Sequence, residues 1–239
     1  MLLESTFRDP AMMADTATRF AEAGYRVEVV AVGTPAPVSR LGAEQRYLAA
    51  AAPFAARWTP PEVHETALKD SPDVVVALEA LPAVARIQVH SREHLLYDNT
   101  RTPDGTWAHP AQAADVLRAE QKRALSPADA AQWLARYRAV FDLARERTGY
   151  LSPATIPAYR ALQADAARLI DIAAAAPAAD SDALREEQRR RDTVLRFVAK
   201  EHAPGLFGRL RDRTTRREPP EPPAPPHHRP RNEPPSLGL

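Results

Sequence analysis

The sequence has 239 residues, with 32 basic and 31 acidic side chains and a net charge of +1, so no global charge draws it toward nucleic acid or an anionic membrane. It contains no cysteine, which excludes disulfides and thiolate metal sites. Its 44% hydrophobic share is rich in alanine and only 6% of residues are aromatic, a balance that suits helices packed through small side chains better than an all-β fold.

The chain opens on Met1-Leu2-Leu3, an apolar run that reads as the last residues of a buried strand. Asp9-Pro10 follows, a capping carboxylate ahead of a proline suited to the first helical turn. Met13, Ala17, Phe20 and Ala21 then fall on one apolar face of a helix running to about Ala23, and Gly24 stands where a left-handed C-cap is expected. The valine-rich run from Tyr25 to Val32 predicts a buried parallel strand, so strand, helix and strand form half of a βαβ unit. Thr34 to Pro37 is a turn, and Ser39 is the expected N-cap of a helix reaching about Ala51. Thr59-Pro60-Pro61-Glu62 has capping-box spacing and opens a helix containing His64, while Pro72 to Leu81 predicts a further short helix. Val84 to Ser91 alternates as a strand and Leu95 to Tyr97 is a second short one. Asp98-Asn99-Thr100 and Pro103-Asp104-Gly105 have loop chemistry, and Ala111 to Ala124 returns to helix.

From Ser126 the character changes. Ser126 caps a helix of about five turns with Trp133, Leu134, Tyr137, Val140, Phe141 and Ala144 at helical spacing. Ser152-Pro153 opens another helix to about Ala175, and Asp182 to Glu201 is a third, strongly charged one. From Pro204 the density of proline, arginine and glutamate cannot build a core, and a disordered or polyproline-II-like tail is expected. The expected division is thus residues 1–125, a helical extension over 126–203 and a tail over 204–239. No apolar run approaches a membrane span, and the start lacks a basic region followed by an apolar stretch and cleavage site; the expectation is a soluble cytoplasmic protein.

An ordered series of residues carries a family resemblance. Glu4-Ser5-Thr6-Phe7-Arg8-Asp9-Pro10 is followed by Gly24-Tyr25-Arg26-Val27-Glu28, Ser39, Arg46-Tyr47 and Arg57-Trp58-Thr59-Pro60-Pro61-Glu62-Val63-His64. Arg86-Ile87-Gln88-Val89 and Tyr97-Asp98 close the series. In order and spacing it resembles the zeta toxin family, the kinases of toxin–antitoxin pairs that phosphorylate UDP-N-acetylglucosamine. The resemblance implies an α/β fold with a P-loop NTPase-like parallel sheet and flanking helices, incomplete here and followed by the helical extension and tail. It also implies ATP and magnesium as cofactors, a UDP-sugar as substrate and an antitoxin protein as partner, with no nucleic acid and no membrane.

Residue by residue, the resemblance implies that Glu4 sits near magnesium and the sugar, where a carboxylate suits a hard cation. Thr6 and Thr16 match positions that contact the sugar nucleotide. Arg46 and Arg57 match two arginines that approach the ATP phosphates, and charge stabilisation of that kind is worth on the order of 10³–10⁵ in rate. By residue type and position alone, Glu4 is an ordinary strand-end residue, Arg46 a solvated helix residue and His64 a structural hydrogen-bonding group. Ser5 stands where the family has glycine, a poorer choice if positive φ is needed there. The alanine-rich stretch from Ala49 to Ala56 separates the two arginines.

No G-x-x-x-x-G-K-[ST] motif, whose backbone amides and lysine hold nucleotide phosphates, occurs in the sequence, and the 8 glycines are not clustered. In the family that loop and the aspartate that deprotonates the sugar hydroxyl precede the segment matched here. The chain as written is therefore expected to be an N-terminally truncated kinase, inactive by itself. Three readings stay open: a kinase whose true start lies upstream, a decayed remnant without catalysis, or a non-enzymatic binding module. The last would act through the helical extension and tail on an antitoxin-like protein or a proline-recognising domain.

Overall fold

The first helix begins where the sequence places its cap. Asp9 accepts a hydrogen bond from the Met12 amide at 3.0 Å, Pro10 occupies the first turn of α1 (Pro10–Glu22), and Gly24 follows at φ +85°. The computed structural model describes residues 1–50, 58–175 and 180–201. Residues 1–202 form one compact unit.

Strand β1 (Val27–Val32) runs parallel to β2 (Val84–His90), and β2 pairs antiparallel with β3 (Leu95–Thr100), in the sheet order β1-β2-β3. Two helices, α2 (Ala36–Leu48) and α3 (Pro61–Ala80), make the crossover between the parallel strands. The result is an α/β fold of P-loop-like character, a three-stranded sheet flanked by helices. Register puts Val29 beside Ile87 and Ile87 beside Asn99, so one sheet face carries Val29, Ala31, Ile87 and Val89 into a core with Ala17 of α1 and Val74, Val75 and Leu78 of α3. Leu117 of α4 (Ala113–Lys122) completes that core.

A second core belongs to the helices that follow. In α5 (Pro127–Glu146), Ser126 accepts from the Asp129 amide at 3.1 Å, and Trp133, Leu134, Tyr137, Val140, Phe141 and Ala144 are all buried as their spacing requires. They pack with Tyr159, Leu162 and Leu169 of α6 (Ile156–Ala173), with Leu195 of α7 (Ser181–Glu201), and with Leu41 of α2. The indole of Trp133 donates to the Pro37 carbonyl at 2.9 Å. Helix α2 therefore closes the core of the helical extension while its own chain runs between the strands.

Several expectations are corrected. Met1, Leu2 and Leu3 lie in no strand and are exposed at 91, 85 and 55%; no described strand pairs with them, so their backbone groups are left to water. Strand β1 is buried on one face only, with Val30 and Val32 exposed, so its pattern alternates although nearly every residue is apolar. Ser39 does not cap α2. That helix starts at Ala36 behind Pro35, with no side-chain cap bond, because Pro37 supplies a helical φ in the first turn without an amide to satisfy.

The Thr59–Glu62 capping box does not form either, since Pro60 and Pro61 open α3 in the same way. Residues 61–80 are one helix rather than two, with Pro72 inside it. A proline at this position strips the Leu68 carbonyl of its helical partner, and the Ser71 hydroxyl donates to that carbonyl at 3.3 Å. Asp98-Asn99-Thr100 extend β3 rather than forming a loop, held by Arg86 across the strand pair at 2.8 Å from Asp98. Helix α6 starts at Ile156, three residues beyond Pro153. The expected helix end at Ala51, the alanine stretch up to Ala56, and the tail from Pro204 lie outside the described residues.

Candidate functional site

The residues expected to face a sugar nucleotide lie at the N-terminal end. Glu4 and Thr6 are exposed in the irregular segment ahead of α1, and the Thr16 hydroxyl donates to the Met12 carbonyl within α1 at 2.8 Å. The positive φ in this segment falls on Phe7 (+48°), not on Ser5, whose hydroxyl accepts from the Phe7 amide at 3.4 Å. Serine in place of glycine therefore brings no backbone strain, and the strained position is an aromatic residue packed against the sheet core. No hydrogen bond or ion pair joins the side chains of Glu4, Thr6 or Thr16 to one another or to Arg46 among the described residues.

Arg46 occupies the last turn of α2, where the helix dipole favours a cation. It is exposed and makes no ion pair among the described residues. Arg57 lies outside the described residues. Two further arginines approach the same helix: Arg136 of α5 donates to Gln45 Oε1 at 2.5 Å, and the Arg92 guanidinium lies against the bare backbone of Gly42. Burial, then the charges of Arg136 and Arg46, push the Arg92 guanidinium below its ordinary pKa. Sequence reasoning singled out neither residue, because they come from a strand-end turn and a helix that meet α2 only in three dimensions.

Beneath these cations α2 is pinned by polar bonds. Arg40 makes a bidentate pair with Glu65 of α3 at 2.6 and 2.9 Å and a second pair with Asp165 of α6 at 2.9 and 3.1 Å. Asp165 is fully buried and is also held by Arg168. The hydrogen bond to Glu65 raises the Arg40 pKa above its ordinary value, and the same bond holds the Glu65 carboxyl below the usual range. His64 has the structural role expected of it, with Nε2 2.9 Å from the Ser39 hydroxyl and Nδ1 3.3 Å from Glu65. Glu44, 3% exposed, accepts from the Tyr150 hydroxyl at 2.6 Å and the Trp58 indole at 3.3 Å. Burial pushes the Glu44 carboxyl up, against the opposing effect of those two donors.

The chemistry available is thus mainly cationic. Guanidiniums on α2 and beside it that have no ion-paired carboxylate among the described residues are of the kind that fits phosphate oxygens. Glu4 is exposed, and no cluster of three or more potential metal-ligating side chains occurs among the described residues. A cavity of about 430 Å³ lies elsewhere, beside Glu79, Arg101, Trp107 and Asp115, and includes none of the expected site residues.

Residues 1–102 match the zeta toxin family. Toxin zeta of Enterococcus hirae is 30% identical over 106 residues, an alignment that covers 43% of this chain and 37% of that relative. The chain thus spans little more than a third of the length of the relative it matches, and its helices α5, α6 and α7 lie outside the family segment.

Proposed function

Because residues 1–102 match the zeta toxin family, we propose that the chain carries the substrate-side and arginine-bearing part of a kinase-like phosphotransferase. The reaction moves the terminal phosphoryl group of ATP to a hydroxyl of UDP-N-acetylglucosamine or a similar small molecule. Glu4, Thr6 and Thr16 take the sugar-nucleotide side, with Glu4 also offering an oxygen to magnesium. Arg46 and Arg57 stabilise charge on the phosphates. An antitoxin protein is the partner in such a system, and the cytoplasm is its place of action.

The observation that carries this reading is the family match itself, supported by Arg46, which emerges from α2 in a position free of any described carboxylate. What the residues do is largely positional, since phosphoryl transfer asks for alignment and charge neutralisation more than covalent chemistry. ATP would supply the transferred group, and Arg46 and Arg57 would bind its phosphate oxygens. The sequence contains no glycine loop with lysine to wrap those phosphates, so these 239 residues by themselves do not turn over.

Two measurements test the reading on the chain as it exists. A nuclear magnetic resonance titration with UDP-N-acetylglucosamine should show saturable binding that weakens in Glu4→Ala and Thr6→Ala. Incubation with ATP, magnesium and the same sugar nucleotide should give no phosphorylated product by mass spectrometry. Absence of binding would remove the substrate assignment; product formation would show that phosphate is held by residues other than a glycine loop.

A further inference from the structure

We propose that Arg46, Arg92 and Arg136 form one oxyanion site for the polyphosphate chain of a nucleotide, with Arg136 contributed by the helical extension outside the family segment. The inference rests on the assignment of Arg46 to phosphate and extends it to two residues that the family resemblance does not name.

The geometry starts from α2. Gly42, Gln45 and Arg46 are spaced i, i+3 and i+4, and so share one helix face. The Arg92 guanidinium reaches that face because Gly42 has no side chain; a Cβ there would meet Arg92 Nη2 at 2.9 Å. Arg136 reaches it from α5 and is fixed by its bond to Gln45 at 2.5 Å. A turn after β2, the last turn of α2 and the middle of α5 thus converge on one side of one helix.

The charge balance points to an anion. Arg19, Arg40, Arg86, Arg118, Arg123 and Arg138 each have a carboxylate within ion-pair distance. Arg46, Arg92 and Arg136 have none among the described residues. Arg8, Arg101, Arg145, Arg147 and Arg160 have none either; what sets the first three apart is that they gather at one helix face and act on one another's charge. Like charges gathered without a counter-charge destabilise one another, and the downward push on Arg92 comes from burial together with the other two cations. A polyphosphate supplies several negative oxygens in a short span, and the planar guanidinium fork matches them in pairs. An acidic peptide would spread its charges at wider spacing than this single helix face presents.

The test is calorimetric titration of the full chain with inorganic tripolyphosphate at low salt. One saturable site is expected, weakened about tenfold by Arg92→Ala and about tenfold by Arg136→Ala, the loss of one charge-assisted bond each. Arg136→Lys should fall between wild type and alanine, which separates loss of charge from loss of packing. Arg118→Ala, which removes an arginine paired with Asp73 and Asp115, should leave the affinity unchanged. No saturable binding, or equal affinity in all variants with unchanged circular dichroism, overturns the proposal. The titration contains no sugar nucleotide and no transfer step. A chain that binds UDP-N-acetylglucosamine but shows no effect of Arg92 or Arg136 loses this site and keeps its substrate; the reverse result keeps the site and removes the substrate.

Discussion

At Gly42 two demands meet on one residue. Glycine inside a helix is disfavoured relative to alanine by about 1 kcal/mol, yet the missing Cβ gives the Arg92 guanidinium its resting place. Gly42→Ala should therefore raise unfolding free energy by up to about 1 kcal/mol in urea denaturation, because the flexible end of Arg92 can move aside at little cost. A clear loss of stability would mean that Arg92 is rigidly held. Glu44, two residues along, gives a prediction in pH. Its carboxyl is raised in the folded state, so the stability it contributes is present below its unfolded pKa and lost as pH rises through the folded value. Denaturation midpoints measured from about pH 5 to about pH 8 should fall more steeply in wild type than in Glu44→Gln, which has nothing to titrate. Equal slopes would show that Glu44 ionises as it does in water. Glu65 works in the opposite direction: its lowered carboxyl contributes stability above its unfolded pKa that is lost as pH falls.

Elements differ in how much of them could be read from local sequence. Asp9 and Ser126 were legible as caps because each bonds an amide within three residues. Ser39 and Thr59 have the same residue types but sit beside prolines that begin the helix without a side-chain acceptor. The join in α3 was hidden for a related reason: Pro72 normally interrupts a helix, and only the Ser71 hydroxyl on the Leu68 carbonyl shows why this one continues. Residues 98–100 look like a loop by composition, and become strand through Arg86 on the neighbouring chain segment. Of the candidate site, Glu4, Thr6, Thr16 and Arg46 were named by family resemblance, whereas Arg92 and Arg136 depend on contacts between residues far apart in sequence. Arg40 belongs to this second kind. It ties α2 to α3 and to the buried Asp165 of α6. Arg40→Ala should cost about 3 kcal/mol in chemical denaturation, since it leaves Asp165 buried with Arg168 as its remaining cation. A cost below about 1 kcal/mol would place the pair among the weak surface bridges.

On the scale of the whole molecule, α2 is the shared component. Its sequence lies within the family segment, between the two parallel strands, yet Leu41 sits in the hydrophobic core of α5, α6 and α7. Around it, Trp133 holds the Pro37 carbonyl, Tyr150 holds Glu44, Asp165 holds Arg40 and Arg136 holds Gln45. Every one of these bonds joins a residue of 1–125 to a residue of 126–203. A chain ending at Leu125 would expose Leu41 and leave Glu44 without its tyrosine, an apolar and a polar loss together. Such a chain should show no cooperative thermal transition and should bind a hydrophobic dye, while the full chain, in which residues 1–202 form one compact unit, should melt in one step. Two separate transitions in the full chain, one of them retained by the shorter chain, would show that the sheet-bearing part folds without the extension. That outcome would also make Arg136 an addition to an independent domain rather than a residue that the same folding event brings to Arg46.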